Sequence, residues 1–273
     1  MRPLTSDVAW LPAFVYNHTE ASELATHVAE AVTARGVARV AGFPGDANEL
    51  VAFLAMVGPP LTYYGGDTGS HPDQAAVWRV RYEHEASLRG ETHALEGPLA
   101  VHSSQSLLEP RPHYFCMLMV NPGWQDNERG FNGESLLAPW AEAFKALDEE
   151  NPDYDDLLHT LMNPIPFPDG IARPLAYRLD DAYDDHDLGV RLKSGLLAYL
   201  RDSQPGTAAL AATERFVDAA RRTARTVQMA AGDLVVLDND RWGHGRHSVI
   251  GRRRDAKARV HTNPRELWSL TLQ

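Results

Sequence analysis

Two histidines, His102 and His244, are the residues of this chain whose type and position best suit metal chemistry. His102 ends a predicted strand over Leu99–His102, and His244 follows a predicted strand over 233–237. Neutral imidazole binds several transition metals, and two histidines with one carboxylate form the usual ligand set of a non-haem Fe(II) oxygenase. The carboxylate is expected two residues after the first histidine, where this chain has Ser104.

Composition limits the class of protein. The 273 residues carry 37 acidic and 26 basic side chains, a net charge of -11 that argues against a general nucleic-acid binder. Cys116 is the single cysteine, so no intrachain disulfide can form. The sequence has no basic region followed by a long apolar stretch and no run of about 18 apolar residues, so we expect no secretory signal, no membrane contact and a cytoplasmic location.

The elements that must position the two histidines follow from apolar periodicity. The sequence predicts helices over 19–35, 48–57, 136–147, 188–201 and 208–223. It predicts strands over 37–41, 77–82, 99–102, 114–120, 175–179, 226–229, 233–237 and 267–272. The strands fall in the middle and at the end of the chain, which favours one domain over residues 1–273, with elements of about 1–60 packed on a β core.

Three segments together resemble the taurine dioxygenase and clavaminate synthase family of Fe(II)/2-oxoglutarate oxygenases. They are Pro-Leu-Ala-Val-His-Ser-Ser at 98–104, Gly-Glu-Ser-Leu-Leu at 133–137, and Gly-Asp-Leu-Val-Val-Leu-Asp-Asn at 232–239 followed by His-Gly-Arg at 244–246. The resemblance implies a mainly β fold with flanking helices, built on a double-stranded β-helix (jelly-roll) core of the clavaminate synthase type. It also implies that His102 and His244 bind Fe(II).

The resemblance further implies a site for the cosubstrate 2-oxoglutarate. A guanidinium suits the distal carboxylate of this molecule, since its fork of donors matches a carboxylate. In the family this arginine begins the closing strand, a place that Arg265 occupies here, with Arg259 as the alternative. Ser135 falls where the family has a threonine hydroxyl that helps to hold the cosubstrate.

Ser104 departs from the family pattern and leaves three interpretations. Chloride could take the open position, as in the halogenases of the family, which carry glycine or alanine there. Another carboxylate or water could fill the gap, and the protein would remain an oxygenase; the candidates are Glu109, Asp126, Glu128 and Glu134. Metal binding could instead be lost, leaving a metal-free binding protein on the same fold. A cupin-like hydrolase or isomerase with a different metal is a further alternative.

Substrate contacts are expected on loops and strands around the metal. Tyr63, Tyr64 and the loop to Ser70 could form a lid. Arg79 and Arg81 share one face of a strand and could hold a carboxylate, although surface ion pairs are the ordinary role of such residues. Asp180, Asp181 and Tyr183 lie where family members that modify basic amino acids place acidic contacts.

The expected function is therefore oxidation of an unactivated C–H bond with Fe(II), 2-oxoglutarate and O2. Hydroxylation is the default outcome, and halogenation with chloride is the alternative. The expected substrate is a small polar molecule, an amino acid or a derivative.

Overall fold

A computed structural model describes residues 10–62, 69–91, 94–125 and 132–273 of the chain. Within these ranges, the strands are β1 Ala13–Val15, β2 Val37–Ala41, β3 Pro60–Leu61, β4 Trp78–Arg81, β5 Leu99–His102, β6 Tyr114–Asn121, β7 Ser135–Pro139, β8 Ile165–Pro166, β9 Ala172–Arg173, β10 Ala176–Arg178, β11 Leu188–Val190, β12 Arg225–Val227, β13 Leu234–Asp238, β14 Trp242–Arg246, β15 Arg252–Arg254, β16 Val260–Thr262 and β17 Glu266–Leu272. The α-helices are α1 Ala21–Arg35, α2 Ala47–Leu54, α3 His84–Leu88, α4 Trp140–Glu150, α5 Tyr154–Met162, α6 Leu196–Ser203 and α7 Ala208–Thr223.

Two sheets face each other across an apolar core. The larger sheet has the order β1-β2-β13-β6-β17-β3, with β4 also paired to β17, and the smaller has the order β12-β7-β14-β5. Side chains of β6 alternate between the two sides of the larger sheet, as the pleat of a strand requires. Phe115, Met117 and Met119 pack between the sheets, whereas Cys116 and Leu118 pack beneath α1 and α2. The result is the predicted jelly roll with flanking helices.

The sequence prediction is wrong for two helices. The predicted helix over 136–147 is the strand β7 followed by α4, and the predicted helix over 188–201 is the strand β11 followed by α6. Both segments are strongly apolar, which local periodicity cannot assign to helix or strand. Pairing decides the outcome, because β7 lies between β12 and β14 and β11 pairs with β10.

None of the helices in the described ranges combines the length and apolar character needed to cross a membrane.

Candidate metal centre

His102 and His244 lie directly opposite each other in the smaller sheet. They are partners in the antiparallel pairing of β5 with β14, and their ring centroids are 4.3 Å apart. Phe115 stacks on His244 from the facing sheet, with 3.9 Å between ring centroids. The glycine that precedes His244 is required by packing, because a Cβ on Gly243 would lie 2.1 Å from a ring carbon of Trp140.

The environment keeps both imidazoles neutral. Burial lowers the pKa of His102 to about 4, despite a hydrogen bond to the carbonyl of Ala100 that opposes the shift. Burial, and then the neighbouring His102, lower the pKa of His244 well below its ordinary value. Neutral imidazole is the form that binds a metal ion, so neither ring needs to lose a proton first.

The hydrogen bonds of the two rings leave nitrogen atoms available. His102 donates from Nδ1 to the carbonyl oxygen of Ala100 at 3.0 Å, which leaves the lone pair on Nε2. Nδ1 of His244 is buried and has no hydrogen-bond partner in the described part of the chain. A buried polar atom without a partner costs free energy, which is typical of a site that a ligand completes. The two histidines therefore fit a transition metal.

The turn that contains Ser104 is held in place by hydrogen bonds to its backbone. Its N–H donates to Oδ1 of Asn239 at 2.8 Å, and Nδ2 of Asn239 donates to the carbonyls of Ser104 and Pro112, each at 3.0 Å. Ser104 and Asn239 are both buried. The position that would carry the family carboxylate is therefore held in place by a side chain from the segment between β13 and β14.

The described residues do not provide a third metal ligand in place of this carboxylate. They contain no group of three histidine, cysteine, aspartate or glutamate side chains arranged to hold a metal ion. Glu109 instead pairs with Arg191 at 2.5 Å, and Glu134 accepts a hydrogen bond from the backbone of Asn132 at 2.7 Å. Asp126 and Glu128, like residues 63–68 of the predicted lid, lie outside the described residues.

A cavity of about 280 Å³ opens next to the two histidines. Its wall is formed by β4, β5, β6, β14 and β17, by the turn after His102, and by the segment before α6. Among the described residues, the lining is apolar or hydroxylic apart from the histidines, Gln105 and one cation; it comprises Trp78, Val80, Leu99, His102, Ser103, Ser104, Gln105, Ser106, Leu107, Leu108, Phe115, Lys193, Ser194, His244 and Ser269.

Arg265 and Ser135 do not line this cavity; Arg265 directly precedes β17, and Ser135 begins β7. His244 and Arg246 point to one face of β14, since alternate residues of a strand share a face. Arg246 and Arg265 line a common small cavity. Ser135 is the pairing partner of Arg246, and its hydroxyl donates to the sulfur of Met229 at 3.4 Å.

Arg265 is a buried cation without a carboxylate. It is 5% exposed, donates from Nη2 to the carbonyl of Gly133 at 2.8 Å, and forms no ion pair with any described residue. Burial, and then the charge of Arg246, lower its pKa to about 10. Buried charges are normally paired, so this guanidinium fits an anionic ligand such as the distal carboxylate of 2-oxoglutarate.

Arg259, the alternative for this role, does not occupy a comparable position. It lies on the turn between β15 and β16, is exposed, and pairs with Asp255 at 2.7 Å. The hairpin formed by these strands accounts for the extra residues between His244 and the closing strand. Of the two candidates, Arg265, the first choice from the sequence, is the buried one.

The arginines and acidic residues predicted to contact substrate do not line the cavity beside the histidines, although Arg81 lines the small cavity shared by Arg246 and Arg265. Arg79 binds both oxygens of Glu266 at 2.7 and 2.9 Å, and Arg81 pairs with Glu83 at 2.6 Å. Alternation along β4 gives the cavity Trp78 and Val80 instead.

The segment after β10 also faces a different part of the molecule. Asp181 pairs with Arg241 at 2.7 Å, and the hydroxyl of Tyr183 donates to the carbonyl of Thr33 in α1 at 2.7 Å. Asp180 does not line the cavity either. Asp181 and Tyr183 are therefore engaged with Arg241 and α1, and none of the three residues lines the cavity.

Lys193 is the site residue that sequence reasoning missed. It belongs to no motif, and it lies within a segment predicted as helix. The structure brings it to the cavity because the backbone of Leu192 is hydrogen-bonded to Ser103, with Ser103 N–H donating to the Leu192 carbonyl at 2.9 Å.

Comparisons with known proteins identify the family and the fold of the chain. Residues 1–262 match the family described as taurine catabolism dioxygenase TauD, TfdA family. No curated sequence is significantly similar to the chain. Among solved structures, an asparagine oxygenase in complex with Fe(II), (2S,3S)-3-hydroxyasparagine and succinate is 15% identical with a TM-score of 0.59, over 95% of this chain and 93% of that one.

Two further structures share the fold. The non-haem iron oxygenase OrfP in complex with Fe and alpha-ketoglutaric acid is 15% identical, with a TM-score of 0.59 over 96% of this chain and 94% of that one. The PvcB protein from Pseudomonas aeruginosa is 15% identical, with a TM-score of 0.59 over 96% of this chain and 87% of that one. The chain therefore belongs to the TauD, TfdA family of non-haem iron, 2-oxoglutarate-dependent dioxygenases.

Proposed function

We propose that the protein is an Fe(II)- and 2-oxoglutarate-dependent oxygenase that hydroxylates a C–H bond of a small polar substrate. The observation that carries the proposal is the pair of neutral histidines across β5 and β14, together with the buried guanidinium of Arg265, which forms no ion pair with a described residue. The hydroxyasparagine bound by the asparagine oxygenase of similar fold supports an amino acid or derivative as the substrate class.

Each residue has a definite task in this proposal. His102 and His244 would hold the iron, and Arg265 and Ser135 would hold 2-oxoglutarate, with Arg265 binding its distal carboxylate. When bound, iron and cosubstrate supply O2 activation: 2-oxoglutarate loses CO2 and takes one oxygen atom to become succinate, and the other oxygen atom enters the substrate. The apolar wall around Phe115 and Leu108 limits water at the histidines and favours oxidation of the substrate.

Ser104 gives a specific reason to keep halogenation as the second candidate. A small neutral side chain next to the two histidines leaves a ligand position unfilled by protein, and no described carboxylate reaches it. A chloride ion could then bind at this position, as expected for the halogenases of the family.

An anaerobic titration of metal-free protein with Fe(II) and 2-oxoglutarate tests the proposal. We expect a saturable visible charge-transfer band, which requires the metal and its cosubstrate to be bound together. His244→Ala should abolish the band, whereas His261→Ala, on the exposed strand β16, should leave it unchanged.

The titration also separates the alternatives. A shift of the band that depends on chloride would favour the halogenase. Absence of a band at every concentration would refute the oxygenase and leave a metal-free binding protein on the same fold.

A further inference from the structure

Lys193 is fixed beside the metal-binding turn by a reciprocal set of hydrogen bonds. Ser103 N–H donates to the Leu192 carbonyl at 2.9 Å, and Leu192 N–H donates back to Oγ of Ser103 at 3.2 Å. The Ser103 hydroxyl in turn donates to the carbonyl of Val190 at 2.8 Å. The backbone next to Lys193 therefore runs alongside His102 and Ser104, and its side chain lines the same cavity.

The ammonium group of Lys193 has no counter-charge. It forms no ion pair and no hydrogen bond with any described residue, and no acidic side chain of the described ranges lines the cavity. Two neighbouring cations behave differently, since Arg111 pairs with Asp240 at 3.1 Å and Arg191 with Glu109 at 2.5 Å. A partly buried cation without a partner attracts an anionic ligand.

A hydroxyl group in the same wall also lacks a partner. Ser106 is 1% exposed, and its Oγ has no hydrogen-bond partner in the described residues. A serine hydroxyl can donate one hydrogen bond, and a carboxylate oxygen accepts it readily. The cavity thus offers a charged donor and a neutral donor in a surface that is otherwise largely apolar.

We propose that Lys193, assisted by Ser106, binds a carboxylate group of the substrate while the apolar wall contacts its hydrocarbon part. Trp78, Leu108 and Phe115 are the larger apolar side chains of that wall. The inference rests on the proposed function, because it names the substrate class of the same cavity. It makes the substrate a small carboxylic acid with an apolar portion, and it makes Lys193 a specificity-determining residue.

Equilibrium dialysis with two small probes tests this inference. Hexanoate and hexanamide have nearly the same shape and differ in charge, and both are measured with metal-free protein saturated with 2-oxoglutarate in chloride-free buffer. The cosubstrate occupies Arg265, so the probes report on the cavity. Wild-type protein should bind hexanoate about tenfold more tightly than hexanamide, as expected for one charge-assisted hydrogen bond.

Variants connect this preference to the side chain. Lys193→Met should remove it by weakening hexanoate about tenfold and leaving hexanamide unchanged. Lys193→Arg should retain it, because the positive charge remains. Lys145→Met is the matched control, since Lys145 is an exposed lysine of α4, and it should bind both probes as the wild type does.

Several results would overturn the inference. These are equal binding of the two probes by the wild type, a preference that persists in Lys193→Met, and no saturable binding of hexanoate at millimolar concentration. Tighter binding of hexylammonium than of hexanoate would assign the cavity to a cationic ligand. Displacement of hexanoate by chloride at concentrations below that of hexanoate itself would assign it to a halide. The assay contains no iron, so loss of iron binding in the charge-transfer titration and loss of the hexanoate preference are distinguishable results; the two experiments share only the binding of 2-oxoglutarate at Arg265.

Discussion

Replacement of Arg265 by methionine should stabilise the metal-free protein and at the same time remove its cosubstrate site. The pKa of Arg265 falls from 12.5 to about 10, chiefly through burial and secondly through Arg246. A change of this size means that the charged guanidinium costs the folded state about 3 kcal/mol. This cost is fully present below pH 10 and is relieved only as the pH rises from 10 toward 12.5, because the folded state then loses its proton before the unfolded state does.

The net change in stability is the difference between the relief of burying the charge and the loss of one hydrogen bond. Methionine fills much of the same volume without the charge, and the single hydrogen bond to Gly133 contributes about 2 kcal/mol. We therefore expect Arg265→Met to raise the free energy of unfolding by about 1 kcal/mol. The affinity for 2-oxoglutarate should fall about 100-fold, since a charge-assisted pair to the carboxylate is lost.

Arg246→Met is the matched control, because Arg246 is equally buried and its pKa is also lowered to about 10. Arg246 donates to three carbonyls, those of Leu95, Gly97 and His247. Loss of three hydrogen bonds from a charged donor outweighs the relief of burial, so this variant should lose about 2 kcal/mol or more.

Urea unfolding at pH 7.5 measures both free energies, and anaerobic calorimetry with Fe(II) measures cosubstrate affinity. A loss of stability in Arg265→Met equal to that in Arg246→Met would refute the reasoning, because Arg265 would then be structural. Unchanged 2-oxoglutarate affinity would refute it independently.

Three further predictions concern the metal centre. Ser104→Asp should raise the Fe(II) affinity at least about tenfold, since it adds a negative charge near the two histidines. Ser104→Ala should leave the affinity unchanged. Equal Fe(II) affinities for the wild type and both variants would mean that the metal ligands lie elsewhere. Asn239→Ala should lower the free energy of urea unfolding by about 3 kcal/mol, because the buried N–H of Ser104 and the carbonyl of Pro112 lose their hydrogen-bond partner. A loss below about 1 kcal/mol would contradict the role of Asn239 in holding the turn. His102 should contribute a loss of up to about 3 kcal/mol in the stability of the metal-free protein as the pH falls from 6.5 to 4, because it resists protonation in the folded state but not in the unfolded one. His244, whose pKa is also lowered, adds to this loss, so His102→Gln should make the dependence shallower without removing it, and an unchanged slope would refute the role of His102.

The local pattern of apolar residues was sufficient to predict several strands and helices. The sequence predicts β2 and β5 with the observed bounds, and it predicts α7 in the same way, because each is a clear period-2 or period-3.6 segment with a defined end. It is insufficient for β7 and β11, where an apolar run is equally compatible with helix and strand until a pairing partner is available.

The sequence by itself determined the family and the residues inside its motifs. His102 and His244 lie in two of the three family segments, Arg265 follows from its place at the start of the closing strand, and the absence of a carboxylate at Ser104 is visible without coordinates. Ion pairs between residues far apart in sequence are not encoded locally, so only the structure shows that Arg79 pairs with Glu266 and Asp181 with Arg241, outside the cavity.

Only the tertiary structure decided what surrounds the histidines. Lys193 reaches the cavity because backbone hydrogen bonds join Ser103 to Leu192, two segments far apart in sequence. The neutral state of His102 also depends on burial by strands of both sheets, a property of packing that no local pattern contains.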